Sequence, residues 1–354
     1  METKKSTVHR ICFCDAAGEN SLPDESVALV VTSPPYPMIS MWDRQFGEWN
    51  PAVGQSLGRG AWAEAFEEMH RSLERVWSNV YRVLIPGGIM CVNIGDATRS
   101  IEGEFQLFSN HARVLRFCLS LGFRNLPNIL WRKPTNAPTK FMGSGMLPGG
   151  AYVTLEHEYI LLFRKGNRRK FVTPESRQQR RESAFFWEER NQWFSDVWEI
   201  RGTDQNLDGA GGRARSAAFP AEIAFRLVQM FSCIGDVVLD PFLGTGTTLL
   251  AAAATCRNSF GFEIDPAMEL VIRQRLGEGI VDSMNSYLRA RLQAHLQYVE
   301  SHQDGGFRYL NTPHGFPVKT SQETGLVVRP LESILLARDG CYEASYGEDP
   351  LTPE

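Results

Sequence analysis

The chain has 354 residues, of which 43% are hydrophobic, and its formal net charge is -4. This length is enough for one large α/β domain with additions. No apolar run approaches the roughly 20 residues of a membrane span, and residues 1–5 do not precede the apolar segment of a signal peptide. A cytoplasmic protein without a membrane partner is therefore expected.

Seven cysteines, an odd number without Cys-x-x-Cys spacing, favour free thiols in a reducing compartment. Cys12 and Cys14 are included in this expectation, since they lie one residue apart on a predicted strand. The seven histidines show no metal-ligand spacing, so no bound metal is expected.

The first informative element is the apolar run 27–31, which predicts a buried parallel strand. Ser33-Pro34-Pro35-Tyr36 follows it, and the two prolines make this loop stiff. Ser33 Oγ and the Pro34 carbonyl are then two convergent acceptors beside the flat ring of Tyr36. The combination predicts a socket for a planar base that carries an exocyclic amino group. The alternative is a rigid turn that ends a strand.

Between this loop and residue 163 the pattern predicts alternating strands and helices. Residues 37–60 are rich in Gly, Trp and Arg and predict a long loop. Amphipathic helices are expected over residues 61–84 and 106–121, with a turn and a strand over 83–96. Residues 132–152 are rich in Pro and Gly and predict a second flexible stretch.

Charge is concentrated in residues 164–190, which carry nine Lys/Arg and four Glu. A net charge of +5 in so short a segment favours contact with phosphates. Aromatic residues follow closely, at Phe185, Phe186, Trp187, Trp193, Phe194 and Trp198. The alternative is a solvated basic loop with a few aromatic residues in the core.

A second loop follows the predicted strand 237–239 and runs from Asp240 through Gly244 and Gly246 into an Ala-rich helix. No Lys precedes the Thr, which excludes a P-loop, and Leu249 stands where a dinucleotide fingerprint has its third Gly. Glu263 lies 17 residues after Gly246, at a spacing suited to ribose hydroxyls. The loop therefore suits an adenosine-type ligand without a pyrophosphate, although an ordinary strand–turn–helix explains the glycines as well.

Together the two loops resemble the β class of amino DNA methyltransferases that use S-adenosylmethionine. Thr32-Ser33-Pro34-Pro35-Tyr36 is similar to the catalytic signature, and the loop from Asp240 to Thr247 is similar to the cofactor signature. The catalytic loop comes first, as in that class. The resemblance covers about residues 10–276 and implies an α/β, Rossmann-like sheet with helices on both faces and a permuted motif order.

The resemblance also implies roles for individual residues. The catalytic residues would be Ser33, Pro34, Pro35 and Tyr36. The cofactor-binding residues would be Asp15, Thr32, Phe219, Pro220, Asp240, Pro241, Phe242, Gly244, Gly246, Thr247 and Glu263. The DNA-binding residues would be Arg168, Arg169, Lys170, Arg177, Arg180 and Arg181. One departure is the run Arg215-Ser-Ala-Ala before Phe219-Pro220, where the family often has His and Pro; this concerns the contact to the methionine part of the cofactor.

Four regions are predicted: a catalytic half over residues 1–163, a target-recognition insert over 164–212, a cofactor-binding half over 213–278 and a C-terminal extension over 279–354. Helical spacing from Met284 to Val299 predicts a face that packs on the domain rather than dimerises. The sequence does not predict the oligomeric state.

The expected reaction is methylation of cytosine N4 in double-stranded DNA, because Ser33 opens the tetrapeptide, where Asp or Asn usually accompanies adenine N6. Adenine N6 methylation, an RNA or protein-amide methyltransferase and a catalytically silent DNA-binding protein remain alternatives. The resemblance also suggests a restriction–modification system with a separate cognate endonuclease.

Overall fold

The computed structural model describes residues 5–18, 21–101, 103–133, 142–143, 145–202, 219–302 and 305–353. The strands are β1 Ser6–Cys12, β2 Val27–Thr32, β3 Leu84–Ile94, β4 Ala97–Ile101, β5 Glu104–Phe108, β6 Phe123–Asn125, β7 Ile129–Arg132, β8 Met142–Gly143, β9 Ala151–Tyr152, β10 His157–Lys165, β11 Val197–Glu199, β12 Val237–Asp240, β13 Asn258–Phe262, β14 Tyr309–Leu310, β15 Pro317–Val318, β16 Leu331–Arg338 and β17 Cys341–Tyr346. The helices are α1 Asp43–Trp49, α2 Pro51–Gly58, α3 Trp62–Val83, α4 Asn110–Ser120, α5 Pro174–Glu182, α6 Trp187–Trp193, α7 Ala221–Phe231, α8 Thr247–Ala254, α9 Met268–Arg275 and α10 Ile280–Ser301, and the 3₁₀ turn Ser40–Trp42 precedes α1.

Eleven strands of the described residues form one twisted sheet in the order β11-β7-β10-β3-β2-β12-β13-β1-β17-β16, with β6 also paired to β10. The five central strands, from β3 to β1, run parallel. β10 is antiparallel to β3, β7 is antiparallel to β10, and the hairpin β16–β17 adds two antiparallel strands beside β1. The carboxyl ends of β2 and β12 therefore lie side by side at one edge of the sheet.

Helices cover both faces of the sheet, as the sequence predicts. Because side chains alternate along a strand, Leu29 and Val31 of β2 point to the core cluster that includes α7 and α10, while Val30 points to the cluster that includes α3 and α4. All six residues of β2 are buried. This two-sided burial explains why the strand is an unbroken apolar run rather than an alternating one.

The insert and the C-terminal extension pack together against one face of the sheet. Phe186, Trp193 and Trp198 of the insert are buried in the same core cluster as Leu288 and Leu292 of α10. These aromatic residues therefore belong to the core, which is the alternative that the sequence leaves open. The helical face of α10 packs on the domain, in agreement with the prediction.

A buried ion pair ties the same two regions. Arg291 of α10 donates two hydrogen bonds to the Glu189 carboxylate of α6, the longer at 2.8 Å, and its guanidinium lies 5.4 Å from the ring centre of Phe186. The described residues of 164–202 and 279–353 thus contribute side chains to the same hydrophobic core. The four-part division of the chain stays a prediction.

Residues 37–60 form the 3₁₀ turn and helices α1 and α2, so the predicted long loop is wrong. Asn50 caps α2 by accepting a hydrogen bond from Ala52 N at 3.1 Å, and Pro51 occupies the first turn. Phe46 and Val53 are fully buried. These two short helices form a wall beside the Ser-Pro-Pro-Tyr loop.

The predicted helix 61–84 is confirmed as α3, whereas the helix over 106–121 begins later than expected. Its first residues belong to β5, which pairs with β4 in a hairpin, and α4 starts at Asn110. Of the second flexible stretch, residues 134–141 and 144 lie outside the described residues, and β8 and β9 form a short ladder within the rest.

The prediction of free thiols is wrong for Cys12 and Cys14, which form a disulfide. β1 ends at Cys12 and the chain turns at once, with Cys14 N donating to Cys12 O at 3.0 Å. This turn brings both sulfurs to the same side. The other cysteines are free and buried. No helix in the described part of the chain has the length and apolarity to cross a membrane.

Candidate active site

The two loops that the sequence singles out are hydrogen-bonded to one another. Thr32, the last residue of β2, donates from Oγ1 to Asp240 Oδ1 at 2.6 Å, and Thr248 of α8 donates to Asp240 Oδ2 at 2.8 Å. Phe242 N donates to Asp240 Oδ1 at 3.0 Å. Burial raises the pKa of Asp240 to about 6, although these hydrogen bonds act in the opposite direction. Asp240 thus fixes the distance between the loops.

The Gly-rich loop adopts a conformation that favours glycine. Gly244 and Gly246 have φ angles of 53° and 82°, and Gly246 caps the amino end of α8. Glu263, just after β13, accepts from Gly244 N and Asp265 N, both at 2.8 Å. Its carboxylate therefore holds the loop from the neighbouring strand.

A cavity of about 680 Å³ lies between the loops at the carboxyl edge of the sheet. This volume is within the usual range for a small-molecule site. All four predicted catalytic residues line it. Of the predicted cofactor residues, it is lined by Asp15, Phe219, Asp240, Pro241, Phe242, Gly244, Thr247 and Glu263. The other three predicted cofactor residues do not line the cavity but support residues that do. Thr32 donates a hydrogen bond to Asp240, Gly246 caps α8 and Pro220 caps α7.

A polar network anchors Tyr36. The Tyr36 hydroxyl donates to Glu158 Oε2 at 2.7 Å, and Asn93 Nδ2 donates to the same oxygen at 2.7 Å. Ser33 Oγ lies 3.1 Å from the Tyr36 hydroxyl oxygen. Burial and the Glu158 charge raise the pKa of Tyr36 well above its ordinary value, which keeps this hydroxyl protonated. Lys133 pairs with the other Glu158 oxygen.

Gly95 allows the Tyr36 ring to lie where it does. A Cβ at this position would lie 3.0 Å from the Tyr36 ring and 3.2 Å from Glu158 Cγ. Asn110, which is fully buried, donates to the Gly95 carbonyl at 3.0 Å and to the Pro37 carbonyl at 2.9 Å. The end of the catalytic loop is therefore clamped to the end of β3.

Comparison with known proteins identifies the chain. The profile of the N6/N4 methyltransferase family, described as DNA methylase, matches residues 27–273. The chain belongs to this DNA methylase family. With the catalytic signature ahead of the cofactor signature, the methylase has the motif order of the β class.

The relatives of the methylase agree with this membership. The type II methyltransferase M.MthZI of Methanothermobacter thermautotrophicus is 50% identical, over 90% of this chain and 89% of its own length. M.MjaI of Methanocaldococcus jannaschii is 49% identical, over 78% and 94%. The DNA modification methylase TTHA0409 of Thermus thermophilus, solved with S-adenosylmethionine, is 36% identical and covers 75% of this chain and 94% of its own, with a TM-score of 0.58. The PvuII cytosine-N4 methyltransferase, 21% identical with a TM-score of 0.52, shares the fold.

The prediction of a DNA methyltransferase with S-adenosylmethionine as cofactor is confirmed. The residues of the methylase fit this cofactor. The left-handed glycines leave room for a close approach, and the acidic side chains of Asp15 and Glu263 line the same cavity. The loop has no basic residue that would require a pyrophosphate.

The predicted DNA-binding residues of the methylase are not near the cavity. Arg169 donates to both oxygens of Asp236, at 2.6 and 2.8 Å, at the amino end of β12. Asp240 lies at the other end of that strand, about 13 Å away. The remaining residues of the set lie on the same segment or on α5, and none of Arg168, Arg169, Lys170, Arg177, Arg180 or Arg181 lines the cavity. The local charge predicts contact with phosphates, but it does not predict at which edge of the sheet the basic residues lie. The DNA-binding role of these six residues stays a prediction, and their position does not support it.

Asn93, Lys133 and Glu158 are site residues to which sequence reasoning gives no role. Asn93 is the last but one residue of β3, Lys133 follows β7 and Glu158 is the second residue of β10. The sequence does not show in which direction β10 runs. Because β10 is antiparallel to β3, the first residues of β10 lie at the same edge of the sheet as the last residues of β2 and β3.

Proposed function

We propose that the methylase transfers a methyl group from S-adenosylmethionine to the exocyclic N4 of a cytosine flipped out of duplex DNA, as a type II modification enzyme. The observation that carries the proposal is the network around Ser33, Tyr36 and Glu158, which sits directly beside the cofactor loop. The names of M.MthZI and M.MjaI support the type II assignment and, with it, a separate cognate endonuclease.

The network makes Ser33 a hydrogen-bond acceptor. A tyrosine hydroxyl has one hydrogen, and that of Tyr36 is donated to Glu158. The contact between Ser33 and Tyr36 therefore uses the serine hydrogen. Asn93 Nδ2 donates to one lone pair of Ser33 Oγ at 3.5 Å, and the other lone pair stays available toward the cavity. An amino group of a base is a donor, so this polarity suits it.

The exocyclic amine of cytosine is a poor nucleophile because its lone pair is delocalised into the ring. Ser33 Oγ and the Pro34 carbonyl accept hydrogen bonds from the two N–H groups of the amine. These hydrogen bonds draw the nitrogen toward tetrahedral geometry. The cofactor, when bound, supplies an electrophilic methyl group on sulfur. Ser33 and Pro34 orient the amine lone pair toward the cofactor side of the cavity, and such positioning contributes up to about 7–11 kcal/mol. The proton of the alkylated amine passes to water.

The target base has to leave the duplex, at a cost of a few kcal/mol. Tyr36 offers its ring as a stacking surface in the cavity, held in orientation by Glu158 and Gly95. Ser33 at the first position of the tetrapeptide favours cytosine over adenine.

Mass spectrometry of nucleosides tests the proposal. Unmodified DNA, long enough to contain rare sites, is incubated with the methylase and labelled S-adenosylmethionine and then digested. We expect label in N4-methylcytosine. Label in N6-methyladenine would keep the mechanism and overturn the choice of base, whereas absence of label from every DNA nucleoside would overturn DNA as the substrate.

Replacing Tyr36 by phenylalanine should lower kcat by about 10- to 150-fold, the cost of about 1.5–3 kcal/mol expected for one hydrogen bond to a charged group. The stacking ring is kept, but Ser33 loses the partner that holds its hydrogen. Glu158→Ala should behave alike, and Glu158→Gln should recover part of the rate because it retains an acceptor. Single-turnover kinetics with saturating cofactor would measure these rates.

Tyr309→Phe is the matched control, since Tyr309 lies on β14 and is half exposed. Equal kcat values for Tyr36→Phe and Tyr309→Phe would contradict the role of the Tyr36 hydroxyl. A loss in Glu158→Gln as large as in Glu158→Ala would show that the charge of Glu158, rather than its hydrogen bond, is required.

A further inference from the structure

One segment leaves and re-enters the sheet at the edge where the cavity opens. β7 ends at Arg132 and β10 starts at His157, and these strands are antiparallel neighbours. Lys133 and Glu158, the residues just beyond these points, form an ion pair and line the cavity. The connection 133–156 is therefore attached to the rim of the cavity at both ends.

The described part of this connection carries an unusual number of exposed apolar side chains. The exposed fractions are 89% for Met146, 69% for Leu147, 41% for Tyr152, 89% for Val153 and 41% for Leu155. We call these five residues the apolar ridge. Single exposed apolar residues are normal on a protein surface, but five within ten residues of sequence indicate an interaction site.

Aromatic stacking connects the apolar ridge to the catalytic loop. Tyr152 stacks on Phe105 of β5, with ring centres 4.4 Å apart and planes 13° apart. In the hairpin that contains Phe105, Arg99 of β4 donates from Nε to the Met38 carbonyl at 2.6 Å. Met38 is two residues beyond Tyr36. The ridge thus has a fixed neighbour that is itself bonded to the end of the Ser-Pro-Pro-Tyr loop.

We propose that the apolar ridge contacts the DNA duplex beside the target base and that Met146 and Leu147 pack into the space that the flipped base leaves. This inference rests on the proposed function. DNA that delivers a base to the cavity has to approach at the carboxyl edge, where the ridge stands, and not at the amino edge, where Arg169 pairs with Asp236. Apolar side chains that enter a base stack are a common means of stabilising opened DNA.

The double variant Met146→Ser/Leu147→Ser tests the ridge, because both side chains are exposed and their loss leaves the core unchanged. Leu335→Ser is the matched control: Leu335 is 64% exposed and lies on β16, at the other side of the sheet. Fluorescence anisotropy would measure binding to unmodified duplex DNA, and calorimetry would measure binding of S-adenosylmethionine. We expect the double variant to bind DNA about tenfold more weakly, which corresponds to about 1.4 kcal/mol, with cofactor affinity unchanged and the control equal to wild type.

A second arm uses a methylation site mapped from the wild-type product, with the target base either paired or mispaired. A mispaired base is already partly unstacked and costs less to open, so the defect of the double variant should shrink on the mispaired duplex. Equal defects on both duplexes would overturn insertion into the stack.

The outcomes separate the ridge from the proposed function. Normal DNA affinity in the double variant, with methylation by the wild type, would overturn the ridge and keep the function. If DNA binding depends on the ridge but the wild type methylates no base, the proposed function would be overturned and the contact between the ridge and DNA would be kept. A wild-type dimer that becomes monomeric in the double variant with unchanged DNA affinity would also overturn the proposal, because the ridge would then join two copies of the chain.

Discussion

Ser33→Ala should lower kcat of the methylase by about 100- to 1,000-fold, the range found when one preorganised hydrogen-bond partner of a transition state is removed. The alanine side chain fills the same place at the end of β2, so Thr32 still reaches Asp240 and the cofactor loop is unaffected. The affinity for S-adenosylmethionine should therefore stay within about twofold, a difference of about 0.4 kcal/mol. Only the amine loses an acceptor.

Single-turnover kinetics and calorimetry on the same preparation would separate these two quantities. Ser78→Ala is a suitable control, because Ser78 is exposed on α3 and donates only to the Glu74 carbonyl of its own helix. An unchanged kcat in Ser33→Ala would refute the assignment of Ser33. A loss of cofactor affinity together with kcat would place Ser33 in cofactor binding instead.

The linked protonation of His9, His70 and Asp240 should together cost the folded chain about 4 kcal/mol of stability when the pH falls from about 6.5 to 4. His9 and His70 are buried, with 0% and 1% exposure, and burial lowers the pKa of each to about 3. The unfolded chain binds a proton near pH 6.5, whereas the folded chain does not. The stability that each neutral histidine contributes is therefore complete above pH 6.5 and falls as the pH drops, by about 3 kcal/mol at pH 4.

Asp240 acts in the opposite direction. Its raised pKa of about 6 means that the folded chain takes up this proton first, which returns about 2 kcal/mol over the same interval. The two histidines outweigh it. Urea unfolding at several pH values would give the free energy of unfolding and its slope.

The variants His9→Gln and His70→Gln should each flatten that slope by about 1.4 kcal/mol per pH unit. Ser78→Ala should leave the slope unchanged, since serine does not titrate and Ser78 is exposed on α3. The slope of the unfolding free energy against pH is the decisive quantity, because it can be measured even for a variant that is less stable at neutral pH. Parallel curves for wild type and both buried-histidine variants would contradict the prediction.

Local patterns were sufficient to predict the two loops of the active site. The apolar runs before Ser33 and Asp240, and the glycines at 244 and 246, place a strand, a turn and a helix within a few residues of sequence. The pairing of β2 with β12 then brings the loops together, and a parallel sheet makes this pairing a reasonable expectation.

Features that depend on strand direction could not be predicted in the same way. Glu158 reaches Tyr36 only because β10 runs against β3, and no residue of β10 carries that information alone. The placement of the basic segment could not be predicted for the same reason: its charge is evident, but its position at the amino ends of the strands follows from the topology. The helices α1 and α2 were missed because each is too short to show a clear period, although Asn50-Pro51 is a recognisable start for α2.

The register of β1 has a consequence for synthesis of the chain. His9 of β1 bonds to Ser259 of β13, 250 residues later, and pairs across the sheet with Tyr342 of β17. At about 5–20 residues per second, the first strand waits about 12–50 s on the ribosome before its nearest partner strand exists. Over that time its alternating buried side chains, Thr7, His9 and Ile11, have no sheet to join. Nascent chains of the methylase should therefore hold residues 5–12 in an open, protease-sensitive form until β13 has been synthesised.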